Sequence, residues 1–478
     1  MAYRYGTRHQ ITLLPDSIEE YVSEDDPVRA YDAFIDSIEI ASLGLTLYDT
    51  AVGNAAYDPV TMLKILVYSY SYGWRSSRKI ERALHHNLSF IWLAGGLKPD
   101  HKTLSRFRKE HKEVLKNLLV QCARLCYKLG LIEGNTLFVD GSKFRATASA
   151  KKTHSKQGWQ KISAKVDKRI AELLKECETI DDQESGSYVK MNKELQSQQA
   201  LKTKIAHLLE EFKDEDKINS SDPDSRIMRG RQGSHSSYNS QIVVDDQHGL
   251  IVHSDVNSRA NDLNQMYDQI SQSEATLGQR CETACADAGY SSVDDLKKLA
   301  DTGRTVVVPT AGSVVKERDN DFGKHAFKYN EDTDTYTCPA GKGLYRSYVK
   351  KGTNKIVYRM KDASACHKCR YYGLCTNAKC GRTIVRLKNE QVKDKLDTIY
   401  NSKDGQTIYA RRKLKAELPF GHMKRTLGAG QFLLRGIDGV KAEFSLLSCS
   451  FNISRMLTLL GSVNAMCSRL QATIPVRS

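Results

Sequence analysis

Apolar residues recur at three- and four-residue spacing through the first 130 positions. Pro59–Tyr72, Ser77–Leu93 and Lys102–Leu129 carry this period, which predicts three amphipathic helices. In the last, Leu104, Phe107, Leu115, Leu118 and Leu119 form the apolar stripe, and Asp100 or Thr103 can cap its start. Arg106, Arg108, Lys109 and Lys112 are expected on the opposite face. An apolar strand follows at Thr136–Asp140. Helical spacing returns over Lys156–Asp216, first through Ile162, Val166, Ile170, Leu174 and Cys177, then through Met191, Leu195, Leu201, Ile205, Leu208 and Phe212. The polar stretch Asp181–Ser187 between them predicts the turn of an antiparallel helical hairpin, a short coiled coil inserted into something else.

After this insertion the period changes to two. Tyr238–Asp245 and Leu250–Val256 are strand-like, joined by the hairpin signal Asp246-Gln247-His248-Gly249. A helix near Asn261–Ala275, a strand at Glu282–Asp287, a helix at Ser292–Ala300 and a strand at Thr305–Pro309 complete the series. Three strands in hairpin sequence followed by alternating helix and strand is the order of a ribonuclease-H-like domain, a mixed sheet with helices packed on it. The predicted fold class is therefore α/β: a ribonuclease-H-like mixed sheet core with a helical N-terminal domain, an inserted helical hairpin and a cysteine-rich insertion. The expected domains are a helical 1–130 and a core over 131–465. The core is interrupted by the hairpin at 156–217 and a basic cysteine-rich insertion at 313–400, and a tail follows at 466–478.

Composition narrows the partners. Of 478 residues, 40% are apolar and 27% charged, which excludes a largely disordered chain. The formal net charge of +15 favours a polyanion, nucleic acid first. The charge is uneven: residues 1–50 carry −7, residues 74–130 carry +9 and residues 341–386 carry +11. Two separated basic zones imply two polyanion-facing surfaces. In the first zone a short helix, a turn at Gly95-Gly96 and a basic helix resemble a helix-turn-helix, which makes Arg106 and Arg108 candidate DNA contacts. No apolar leader opens the chain, and Phe444–Leu460 is interrupted by Asn452 and Arg455. A cytoplasmic protein without membrane contact is expected, nucleoid-associated when on DNA, with its twelve cysteines reduced.

Two acidic residues fall at predicted strand ends: Asp140 in LFVDGSKFRA and Asp287 in CADAGYSS, each with a glycine close behind. In the ribonuclease-H order these two strands would be neighbours. Paired carboxylates repel unless a cation lies between them, and hard divalent ions with oxygen ligands, Mg²⁺ above all, suit such a site. Two ions about 3.5–4 Å apart stabilise both the attacking and the leaving oxygen of a phosphodiester. A third carboxylate, Glu417, stands in IYARRKLKAELPFGHMKR among Arg411, Arg412, Lys413, Lys415, Lys424 and Arg425. Pro419 would cost about 3 kcal/mol inside a helix, so a helix start or kink is expected there.

These segments resemble a bacterial insertion-sequence transposase of the DDE type, in the group with the Tyr-Arg-Glu-Lys signature. Asp140 in FVDGSKFRA matches the first Asp motif, Asp287 in ADAGY the second, and Glu417 the Glu, with Lys424 at the E-x6-K spacing and Tyr409 and Arg412 in the Y-x2-R part. Four residues rather than three separate Arg412 from Glu417, so Arg412 and Lys413 both compete for the Arg place. SDPDSRIMRG, SYNSQIVVDD, AEFSLLSCSFNISRM and the early YDPVTMLKILVYSYSYGWRSSRKIERAL match as well, and the resemblance spans about residues 8–465. It implies a catalytic triad of Asp140, Asp287 and Glu417 holding two Mg²⁺ per active site, with Tyr409, Arg412 and Lys424 as DNA contacts. It further implies cutting and joining of double-stranded DNA at the element's terminal inverted repeats and at its target, and a homodimer on the joined ends. The alternatives are a regulator that binds DNA without catalysis and a nuclease that hydrolyses without joining.

Cys366-x2-Cys369-x5-Cys375-x4-Cys380, with Cys338 upstream in TCPAGKG, offers five thiols for the four places of one structural Zn²⁺. Cys122, Cys126, Cys177, Cys281, Cys285, Cys449 and Cys467 lie on apolar runs and are expected in the core.

Overall fold

Asp-Pro pairs start the first two helices of the chain. Asp26 and Asp58 each accept backbone N–H groups of the first turn while the following proline, which lacks a donor, occupies the first helical position. The computed structural model describes residues 17–45, 56–180, 188–210, 217–230, 233–309, 322–351 and 355–473, the side chains of 177–180 and 188–192 excepted. The turn expected at Asp181–Ser187, the side chains of Cys177 and Met191, Phe212, and the expected start of the second insertion at 313–321 lie outside these residues. The chain divides into two units, Met1–Asp262 with Gln269–Arg280 and Lys413–Ser478, and Leu263–Asp268 with Cys281–Arg412.

In the first unit the early helices are α1 (Pro27–Asp36), α2 (Pro59–Ser71), α3 (Ser77–His86), α4 (Leu88–Leu93), α5 (His101–Glu110) and α6 (Lys112–Lys128). Two expected continuous helices are each split. Asn87 takes an extended backbone and its side chain accepts the N–H of Phe90, so it caps α4 rather than continuing α3. His111 leaves helical geometry at φ −103°, ψ 37°, its ring nitrogen 3.0 Å from the carbonyl of Phe107.

Strand β1 (Thr136–Arg145) runs five residues beyond Asp140, where a turn was expected. The reason is its partner. A long strand, Gly233–Asp245, pairs antiparallel with β1 from Leu137 opposite Asp245 to Arg145 opposite Ser237, so Gly141 is held in register against Gln241 instead of turning. Between them, β2 (Thr153–Ser155) pairs with β3 (Lys217–Asn219) and closes the base of the hairpin insertion, α7 (Lys156–Ile180) and α8 (Tyr188–Glu210). Trp159, Val166, Ile205, Leu208 and Ile218 form its core. Strand β4 (Arg226–Gly230) precedes the long strand, β5, and β6 (Ile251–Asn257) follows it; both pair with β5.

Helix α9 (Met266–Leu277) leads to the second unit's β7 (Thr283–Cys285), α10 (Val293–Asp301) and β8 (Thr305–Val307), with β7 and β8 parallel. A five-stranded antiparallel sheet then forms from β9 (Lys328–Asn330), β10 (Thr335–Thr337), β11 (Gly343–Val349), β12 (Lys355–Arg359) and β13 (Thr383–Leu387), with the short helix α11 (Ser364–His367) before β13. Phe327, Tyr336, Leu344, Ile356, Tyr358 and Ile384 are its core. Helices α12 (Glu390–Asn401) and α13 (Lys403–Gly421) follow.

The last helices, α14 (Ile437–Leu460) and α15 (Val463–Gln471), return to the first unit. Fifteen residues of α14 are buried, because α2 and α6 pack on it together with β6. Arg75 ties this arrangement together, donating to the Glu443 carboxylate at 3.0 Å and to the carbonyls of Gln431 and Gly428. Among the described residues no single helix is long and apolar enough to cross a membrane.

Candidate active site

Asp140 follows three buried apolar residues on β1 and is itself 8% exposed. An aromatic cluster fixes this strand. Phe144 stacks on Phe432 at 5.3 Å and meets Phe444 edge-on at 5.5 Å, while Phe420, three residues after Glu417, lies 6.0 Å from Phe144. The helix that carries Glu417 is thereby anchored to the strand that carries Asp140. No helix starts at Pro419: α13 passes through it to Gly421, and the break in regular helix comes just after, as a π turn over His422–Thr426. Such turns recur at functional positions because they re-aim the side chains they carry. Here the turn carries Lys424, whose ammonium donates to Ser142 Oγ at 2.6 Å and to the Lys143 carbonyl at 2.9 Å and lies 4.5 Å from the centre of the Phe144 ring.

Asp140, Glu417 and Lys424 line one open cleft of ≈ 920 Å³ in the first unit, together with Lys143, Arg145, His235, Arg425 and Asp262. Asp262 escaped the sequence reading. Its carboxylate accepts hydrogen bonds from the Asn239 and Gln241 amides, each at 2.7 Å. The available signal was the polar run Ser234–Gln241, broken only by Tyr238, ahead of the apolar Ile242–Val244 on the same strand.

Asp287 belongs to the second unit. Its side chain accepts the N–H of Gly289 at 2.8 Å and caps the short helical turn Ala288–Tyr290. Arg412 reaches its other oxygen at 3.6 Å and lies 5.8 Å from the centre of the Tyr409 ring. Burial pushes the Tyr409 hydroxyl up, against the pull of Arg412. Of the two residues competing for the Arg place, Arg412 is buried beside Asp287 and Lys413 is exposed.

Oxygen donors flanked by cations suit a hard divalent ion and a phosphodiester together. Among the described residues no three of His, Cys, Asp and Glu are grouped closely enough to hold a metal ion by themselves. The thiols of the second unit are brought together only in part. Cys338, Cys366, Cys369 and Cys375 line one small, mostly apolar cavity, and Cys380 is exposed outside that lining. The Lys342 and Arg382 backbone N–H groups approach the sulfurs of Cys338 and Cys366 at 3.3 and 3.5 Å. Of the cysteines expected in the core, Cys122, Cys126, Cys281, Cys285 and Cys449 are buried and Cys467 is half-buried.

The two basic-helix candidates separate. Arg106 is exposed on α5. Arg108 turns inward instead, donating to Tyr70 Oη, the Arg75 carbonyl and Ser77 Oγ at 2.6–3.1 Å, so the solvent-facing position expected for it is corrected. The apolar stripe of α5 alone does not reveal that α2 and the start of α3 cover this side. Glu443, the next glutamate after Glu417, is fully buried; burial pushes its carboxyl up, while Arg75 and the N–H groups of Leu433 and Leu434 oppose that shift. It is a structural group and not a rival ligand.

Comparison with protein families matches residues 16–110 to the Transposase domain (DUF772) and residues 337–457 to a Transposase DDE domain. The first span includes Arg75, Arg106 and Arg108; the second includes the cysteine cavity, Tyr409, Arg412, Glu417 and Lys424. No curated protein matches the chain.

Proposed function

From the premise that this chain belongs to the insertion-sequence DDE transposases, we propose that it binds the ends of its element, cuts there and joins the ends to target DNA. The observation that carries this reading is that Asp140 and Glu417, far apart in sequence, line one cleft with Lys424. In this reading the sheet of β1 and β5 belongs to a ribonuclease-H-like core, and Asp287 completes a triad with Asp140 and Glu417.

The three carboxylates would hold Mg²⁺, two ions per site. When bound, these ions supply charge neutralisation on the scissile phosphate and a more acidic attacking hydroxyl. The chain's own residues do the positioning. Lys424, held to β1 through Ser142 Oγ and the Lys143 carbonyl, brings a fixed positive charge to the cleft wall for a phosphate. Lys143 and Arg425 add cations along the same cleft. Arg412 orients Asp287, and the exposed Arg106 on α5 contacts the element's end. Two protomers, one per end, would form the joined complex.

Structural zinc is a separate proposal, for Cys338, Cys366, Cys369 and Cys375, which line one cavity and would have to draw closer together than they stand to hold the ion. Purified protein is then expected to hold about one Zn²⁺ per chain, and Cys366→Ser with Cys369→Ser to hold none. Zinc-free wild-type protein made with zinc present would refute it.

The function itself is tested with a labelled element end in Mg²⁺, cleavage and gel shift being measured in parallel. Glu417→Ala is expected to lose cleavage by orders of magnitude while keeping most end affinity, and Glu417→Asp to fail as well, because a metal site tolerates little misplacement. Equal cleavage by wild type and Glu417→Ala would remove Glu417 from the triad. Wild-type protein that binds ends but never cuts them would favour the non-catalytic regulator.

A further inference from the structure

The five-stranded sheet of the second unit packs one face on its own aromatic core, and on the other face Tyr345, Tyr348 and Val385 are exposed around a buried Val357. An antiparallel sheet with one wet face ordinarily presents polar residues there. This one presents rings. Strand pairing places Tyr345 opposite Arg359, and Arg359 opposite Thr383; after a bulge, Tyr348 stands opposite Val357, and Val357 opposite Val385. Tyr345, Tyr348 and Val385 are 42%, 46% and 45% exposed. Cations sit directly on the rings: Arg359 lies 5.1 Å from the centre of Tyr348, and the Lys361 ammonium 4.4 Å from the centre of Tyr345. Residues 341–386 contain twelve Lys and Arg and one acidic residue, Asp362.

We propose that this open face binds single-stranded DNA, with two successive bases stacked on Tyr345 and Tyr348 and their phosphates held by Arg359 and Lys361. Exposed aromatic rings in a basic surface are the combination that single strands select, because every base offers a π face and every linkage a charge. The spacing argues against a duplex. The rungs that hold the two tyrosines are two residues apart on β12, about 6.7 Å, roughly twice the 3.4 Å step along one strand of duplex DNA. Bases can reach both rings only when they are unstacked from one another, and duplex bases have no free face. The proposal goes beyond cutting and joining: it gives the cysteine-rich region a hold on a strand that has been separated from its complement.

The test uses the full-length protein without added Mg²⁺ or chelator, with dye-labelled oligothymidylate and a duplex of equal length, read by fluorescence anisotropy. Tyr345→Ala with Tyr348→Ala should weaken oligothymidylate binding by about tenfold or more per ring and change duplex binding less than twofold. Tyr345→Phe with Tyr348→Phe keeps both rings and should retain affinity within about threefold. Polyglutamate should compete poorly. Equal loss on both DNAs, no loss on the single strand, or equal displacement by polyglutamate would each overturn the proposal. Photocrosslinking of 5-iodouracil-labelled oligonucleotide to wild-type protein provides a readout independent of any variant's folding. Adducts are expected on Tyr345 or Tyr348, and adducts confined to other regions would refute the assignment. The measurement needs neither Mg²⁺ nor the element's end sequence, so its failure is distinguishable from a failure of the cleavage assay.

Discussion

The two basic zones look alike as strings of residues, and each keeps most of its cations exposed while turning a few inward. In residues 74–130 several cations are consumed by the protein itself. Arg75 binds Glu443 and two carbonyls, Arg108 binds Tyr70, Ser77 and a carbonyl, Arg124 donates to the carbonyl of Thr276, and Lys116 pairs with Glu113 and Asp438. In residues 341–386 Arg382 donates to the carbonyls of Cys375 and Phe322 and Lys342 to that of Ala365, while two other cations lie over exposed tyrosines. Net charge counts both kinds equally. What separates them is whether a distant part of the chain covers the helix or strand that bears the charge.

That contrast predicts a graded series. Arg75→Met should have the largest effect on stability, a loss of about 3–5 kcal/mol, because it strands a buried carboxylate. Equilibrium chemical denaturation measures this, and adding Glu443→Gln should restore part of the loss. A single variant as stable as wild type would show that the pair is not holding the N-terminal helices to α14. Arg108→Met comes next, at about 1–3 kcal/mol, since Tyr70, Ser77 and a buried carbonyl lose their donor. If Arg108→Met keeps full stability but loses end binding, Arg108 belongs with the surface cations after all. Arg106→Ala and Lys361→Gln should both leave stability within about 0.5 kcal/mol. For Arg106→Ala, end-DNA affinity should fall and the salt dependence of binding should become shallower by about one phosphate contact. An unchanged salt slope would exclude Arg106 from that contact.

Much of this architecture could be read from periodicity. Three-four spacing located the early helices and the inserted hairpin, and alternation located β5 and β6. The errors have local causes. Nothing in the apolar stripe of Lys102–Leu129 announced that His111 would break it, and the glycine after Asp140 suggested a turn that nine paired rungs with β5 override. The site was legible where a carboxylate stood in a recognisable segment, as with Asp140 and Glu417. It was not legible at Asp262, whose place in the cleft depends on two amides from another strand, or at Arg108, whose face is covered by helices the pattern does not pair with it.

The burial of α14 has a consequence for how the protein is made. Helices α2 and α6 meet the last helix that packs on them, α14, only when residues beyond Ile437 exist, about 300 positions downstream of Lys128. At 5–20 residues per second of synthesis, the N-terminal helices wait about 15–60 s on the ribosome with the faces that meet α14 uncovered. Completion of their packing is thus deferred to the end of translation. A stop codon before α14 would leave the N-terminal helices with those apolar faces bare, and a 1–130 fragment would be subject to the same deficit.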